Sequence, residues 1–136
     1  MVALRVKPEI NLLASEARWA WPEAVRMIFR PRGVNLLVAQ SADEFLNIIE
    51  HERIYATIVD MDCEESNGLA TVKIIRMDYP LVPCILLSSE AGEGLLGQAL
   101  ELEVFSVIDK PVDMVLLQEQ LDRLFLKRYE NSIFSL

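Results

Sequence analysis

A carboxylate, a hydroxyl and an amine stand at matching points of this chain, each at the end of an apolar run. Asp60 follows the run 55–59 (YATIV), Ser88 follows 83–87 (PCILL), and Lys110 follows 104–108 (VFSVI) and Asp109. A carboxylate can accept a phosphoryl group if a divalent cation offsets the charge that builds on the phosphoryl oxygens. An ammonium binds one of those oxygens, and a hydroxyl hydrogen-bonds another. Each residue also has a plainer reading. Lys110 can pair with Asp60 as a structural ion pair, and Ser88 can cap a strand end.

These residues have meaning only if one element set brings them together. The apolar runs alternate with helical patterns. Strands are expected at 10–14 (INLLA), 34–39 (VNLLVA), 55–59, 83–87 and 104–108. Helices are expected between them. The first, Pro22–Arg30, buries Val25, Ile28 and Phe29, and Pro31 and Gly33 end it. Ser41 to Glu44 reads as a capping box opening the second, with Phe45, Ile48 and Ile49 inward. The turn-rich segment 62–68 leads to the third, with Leu69, Val72, Ile75 and Met77 available to the core, before Tyr79-Pro80 stops it. Glu90–Leu102 is a weaker helix, because Gly92, Gly94 and Gly97 each cost about 1 kcal/mol against Ala. Asp113 caps the last, whose apolar face is Met114, Leu117, Leu121, Leu124 and Phe125. Lys127 and Arg128 lie near its end, where cations suit the macrodipole.

Five strands alternating with five helices predict an α/β fold: a doubly wound, five-stranded parallel sheet covered on both faces. Such sheets collect ligands at the carboxyl ends of their strands. Ala14, Ser15, Glu16, Asp60, Ser88, Ser89, Asp109 and Lys110 all fall there.

The bulk properties agree with one domain. The chain has 136 residues and is 52% hydrophobic, enough for one buried core and too apolar for disorder. Its net charge of −8 repels phosphate backbones, so direct nucleic-acid binding is not expected. No apolar run reaches a membrane span, and 1–9 has no secretory apolar region. Cys63 and Cys84 lack metal-ligand spacing and read as reduced thiols, with the cytoplasm as the expected compartment. His51, at a charged helix end, is expected to be solvated.

The order of these motifs resembles the response-regulator receiver family, of the CheY-like kind. Asp60 closes the third apolar run, Asn67-Gly68 follows at the family's offset, 83–89 resembles its fourth strand with a terminal hydroxyl, and Asp109-Lys110-Pro111 resembles its Lys-Pro. The resemblance covers about residues 9–127. It implies an N-terminal extension at 1–8, a receiver-like domain at 9–127 and a tail at 128–136. It also implies that Asp60 is the phosphoacceptor, with Lys110 and Ser88 assisting. The partners it implies are a histidine kinase or phosphotransfer protein and a downstream protein, with homodimerisation left open. On this reading the chain is not an enzyme, beyond catalysing its own phosphorylation and dephosphorylation.

The departures from the family pattern are specific. Receivers carry an acidic pair after the first strand that helps hold Mg²⁺. Here the chain reads Ala14-Ser15-Glu16, so the pair becomes Ala-Ser or Ser-Glu. The remaining metal ligands would be Glu16, Asp60 and the backbone carbonyl of Asp62, which makes the Mg²⁺ site weakened or absent. Glu64 stands where the family often has Pro, beside further carboxylates at Asp62 and Glu65. Val107 stands three residues before Lys110, where the family has its switch aromatic, and the nearby aromatic is Phe105. Trp19 and Trp21 follow the first strand as a pocket cover or a contact surface. A phosphorylation-independent receiver-like module that works by protein interaction or dimerisation is the alternative. A flavodoxin-like cofactor binder fits less well, because no Gly-rich phosphate loop follows the first strand.

Overall fold

A strand covered by helices on both faces has no solvent side, so neighbouring residues that point opposite ways are both buried. Strand β1 (Ile10–Ser15) behaves this way: Leu12 and Leu13 are both fully buried. The structure, a computed structural model, describes residues 10–15, 29–62, 68–89 and 92–130. After β1 these form β2 (Val34–Ala39), α1 (Ala42–His51), β3 (Ile54–Asp60), α2 (Gly68–Asp78), β4 (Cys84–Ser88), α3 (Glu93–Glu101), β5 (Ser106–Asp109) and α4 (Met114–Tyr129). A short 3-10 turn, Arg30–Arg32, precedes β2. None of the helices among the described residues is long and apolar enough to cross a membrane.

The five strands form one parallel sheet in the order β2-β1-β3-β4-β5. The chain winds outward from β1 to β2, then returns past β1 to β3. Strand order therefore reverses between β1 and β3, the kind of switch point at which open α/β sheets bind ligands beyond the carboxyl ends of their strands. On one face, Leu12, Ala14, Ile58, Ile85 and Ile108 pack against Leu117, Leu121, Leu124 and Phe125 of α4. On the other, Leu13, Val59 and Leu86 pack against Phe45 and Ile49 of α1, Val72 and Ile75 of α2, and Ala99 of α3. Each fully buried large side chain contributes about 1.5–3 kcal/mol, so the two faces clamp the strand ends from both sides.

The local signals acted as their chemistry requires. Ser41 Oγ accepts the Glu44 backbone N–H at 3.1 Å, and Asp113 Oδ1 accepts those of Val115 and Leu116 at 2.9 and 3.3 Å. Gly33 takes a left-handed φ of 73° as it ends the 3-10 turn.

Several boundaries differ from the sequence expectation. β4 starts at Cys84 because Pro83 has no N–H to donate, although its carbonyl accepts from Thr57. β5 starts at Ser106, since Glu103 turns the chain with a φ of 55° after α3. Met77, expected inward, lies in the last turn of α2 and is 80% exposed. Residues 128 and 129 are helical, because Tyr129 is tied down: its hydroxyl donates to the Tyr55 carbonyl at 2.5 Å and its ring packs on Tyr55 and Phe125. The expected helix over 22–30 lies outside the described residues apart from its end, where Phe29 is buried. Glu16, Trp19, Trp21, Cys63, Glu64, Glu65, Asn67 and Glu90 also lie outside them. Cys84 is fully buried, and that burial pushes its thiol up to about 11, as suits an inert core residue.

Candidate functional site

Parallel strands of similar length end at one level, so their last residues meet along one edge. Register pairs Asp60 of β3 with Leu87 of β4, and Ser88 of β4 with Asp109 of β5. The Lys110–Pro111 peptide is cis, and the segment after β5 is held in place by the Lys110 backbone N–H, which donates to the Ser88 carbonyl at 2.9 Å. This arrangement delivers the Lys110 ammonium to Asp60.

Asp60 is 4% exposed, and a polar side chain so deeply buried needs hydrogen-bonding partners. It has them. Lys110 Nζ lies 2.6 Å from both Asp60 oxygens, and the Asp62 backbone N–H donates to Oδ1 at 2.9 Å. The Asp60 backbone N–H in turn donates to Ser15 Oγ at 2.6 Å. Ala14 packs into the apolar core, so Ser15 is the first polar side chain at the end of β1. A neutral hydroxyl therefore faces Asp60 from β1, and Glu16 follows it outside the described residues.

Asp62 adds a second carboxylate. Its Oδ2 accepts the Ser89 backbone N–H at 2.8 Å and lies 3.1 Å from Lys110 Nζ. One ammonium thus bridges two carboxylates. Burial pushes the Asp62 carboxyl up, but the Ser89 N–H and Lys110 outweigh it and leave its pKa lowered. For Lys110, burial acts downward, and hydrogen bonds to Asp60 and Asp62 outweigh it and raise its pKa. Both shifts favour the charged forms.

Gly68, at the start of α2, comes close to this strand end. A Cβ there would lie 2.8 Å from Met61 Sδ and 3.1 Å from the Asp60 carbonyl oxygen. Its lack of a side chain lets the helix begin directly against the residue that carries the carboxylate.

Of the residues singled out in the sequence, Asp60 and Lys110 are in contact, and Ser88 is 2% exposed on the neighbouring strand end. Val107 packs with the α1–α3 face of the sheet and Phe105 with the α4 face, so that aromatic is on the side opposite Val107. Ser15 and the Asp62 carboxylate were both visible in the sequence, but their partners were not: the Asp60 backbone N–H for Ser15, and the Ser89 N–H and Lys110 for Asp62. The spacing Asp60-x-Asp62 was the available signal, since an Asp readily accepts the N–H two residues on.

Among the described residues, no three His, Cys, Asp or Glu side chains gather as a metal-binding group. Asp60 and Asp62 bring oxygen donors of the type and number that Mg²⁺ usually takes from protein carboxylates. The fit is partial, because Lys110 contacts both Asp60 oxygens and one of Asp62.

Comparison with known proteins adds a family. A family model described as the response regulator receiver domain matches residues 20–122. That span includes Asp60, Asp62, Ser88 and Lys110 and begins after β1. A putative NtrX-like response regulator of Rickettsia typhi is 29% identical over 105 residues, 73% of this chain and 22% of its own length. The transcriptional regulatory protein ZraR of Salmonella typhimurium is 22% identical over 118 residues, 87% of this chain and 27% of its own length. The chain thus spans less than a third of these relatives. Among solved structures, the signal receiver domain of an HD domain-containing protein from Pseudomonas fluorescens Pf-5 is similar with a TM-score of 0.78 at 18% identity. That match covers 90% of this chain and 99% of the other. A CheY-like receiver domain protein from Methanospirillum hungatei JF-1 gives 0.75 at 20% identity, with the same coverage. At such identities the likeness is one of fold.

Proposed function

We propose a function from one premise: this chain belongs to the response regulator receiver domain family of two-component signalling. Receivers are signalling modules that work with histidine kinases and downstream effectors. Our reading is that Asp60 accepts the phosphoryl group. The observation that carries it is the Lys110 ammonium 2.6 Å from both oxygens of a buried strand-end carboxylate.

An Asp60 oxygen attacks the phosphorus of a phosphohistidine on the partner. The O–P bond forms as the N–P bond breaks, and the departing imidazole keeps the electron pair and takes up a proton. Lys110 turns from the carboxylate to a phosphoryl oxygen, where a charge-assisted bond forms. The Ser88 hydroxyl serves a second oxygen. Asp60, the Asp62 carbonyl and Glu16 would hold Mg²⁺, which would offset the negative charge that develops on the phosphoryl oxygens. Its affinity would be lowered by Ser15, which supplies a hydroxyl where the family has a carboxylate.

The output surface lies around α3, β5 and α4, where Leu96, Leu100, Val115 and Leu116 are exposed. A protein partner or a second copy would meet it there, in the cytoplasm.

One observation favours a second reading. With Lys110 already satisfying both Asp60 oxygens, the same contacts hold a fold that never sees phosphate, as in a phosphorylation-independent interaction module. Beryllofluoride with Mg²⁺, which mimics an aspartyl phosphate, separates the two. Amide resonances of Ser88, Ser89 and Lys110 are expected to shift in the parent and not in Asp60→Asn. An unmoved parent spectrum would favour the interaction module.

A further inference from the structure

The Asp62 side chain has no part in the phosphoacceptor reading, yet it holds two of the best donors at the strand ends. Its Oδ2 accepts the Ser89 backbone N–H at 2.8 Å and lies 3.1 Å from Lys110 Nζ. Both donors belong to segments just past β4 and β5, beside Asp60 at the end of β3. The position of Asp62 is itself fixed from Asp60, whose Oδ1 accepts the Asp62 N–H at 2.9 Å. A backbone N–H and an ammonium that converge on one anionic oxygen form an oxyanion-binding pair. An oxygen of a phosphoryl group on Asp60 needs donors of this kind, and an anion beside it repels it.

We propose that the Asp62 carboxylate is a built-in occupant of the oxyanion donors Ser89 N–H and Lys110 Nζ, and that a phosphoryl oxygen must evict it to use them. The functional meaning rests on the acceptor role of Asp60; the occupancy does not. Asp62 is thus a positioning residue that holds the donors in readiness and opposes their use. Its side chain is about one-third exposed (32%), so it can swing to solvent while Lys110 and Ser89 stay in place.

The test removes phosphorylation chemistry altogether. In an Asp60→Asn background, inorganic phosphate is titrated while the Ser89 amide resonance is followed, with Asp62 intact or changed to Asn. Asp62→Ala in the same background is a second route should Asn misfold or re-form the contact. Removal of one like charge at this range is expected to tighten phosphate binding by about tenfold, with a saturable Ser89 shift. Equal midpoints with and without the carboxylate, or no Ser89 response when it is absent, would overturn the inference. Adduct formation on Asp60 in the unaltered chain is read separately. Its failure would remove the acceptor role and leave the phosphate comparison to decide on Asp62.

Discussion

Asp62 and Lys110 are charged over opposite ends of the pH scale, and their shifts fix how the site responds to pH. The Asp62 pKa is lowered from 3.8 on folding, so its contribution is complete above that value and is lost as pH falls through the lowered one. The Lys110 pKa is raised from 10.5, so its contribution is complete below that value and is lost as pH rises through the raised one. The site is therefore intact across neutral pH and weakens at both extremes. Asp62→Asn should flatten the acid limb: stability measured by urea unfolding from neutral pH to about pH 3 should fall less steeply than in the parent. An unchanged slope would mean that Asp62 gains nothing from Ser89 and Lys110. At this scale the sequence revealed the charges and missed a partnership. Asp60 and Lys110 were legible because each ends an apolar run. The pairing of the Asp62 carboxylate was not, because its partner Ser89 is 27 positions away and meets it only through the β3–β4 register.

Helix α3 is the element least supported by its own sequence. Gly94 and Gly97 lie inside it, Ala99 is its one buried residue, and Leu100 is 80% exposed. A Cβ at Gly97 would meet nothing within 4 Å, so the glycine is not required by packing. Gly97→Ala should stabilise the protein by about 0.5–1 kcal/mol through helix propensity. Slower hydrogen exchange confined to α3 and its contacts would accompany the higher unfolding midpoint. A loss of stability would mean that the backbone there needs freedom that a methyl group removes. The other elements were legible where local chemistry decides them, as at Ser41 and Asp113. They were misjudged where distant contacts decide, as at Tyr129, whose helical turn depends on Tyr55.

Across the whole molecule, the alternation of apolar runs and amphipathic segments was enough to predict the parallel sheet. Strand order follows from β1 lying inside the sheet, with β2 on one side and β3 on the other. That order places a hydroxyl (Ser15), two carboxylates (Asp60 and Asp62) and an ammonium (Lys110) at one edge, on segments up to 95 positions apart in the chain. On the function proposed above, this edge takes a phosphoryl group with a hydroxyl, Ser15, at the end of β1. Intact mass after incubation with a small-molecule phosphodonor and Mg²⁺, beside Asp60→Asn, tests it most directly. One phosphoryl adduct is expected on the parent and none on the variant, with the adduct lost when Mg²⁺ is chelated. A parent that gains no mass, or an Asp60→Asn chain that gains the same mass, would contradict it.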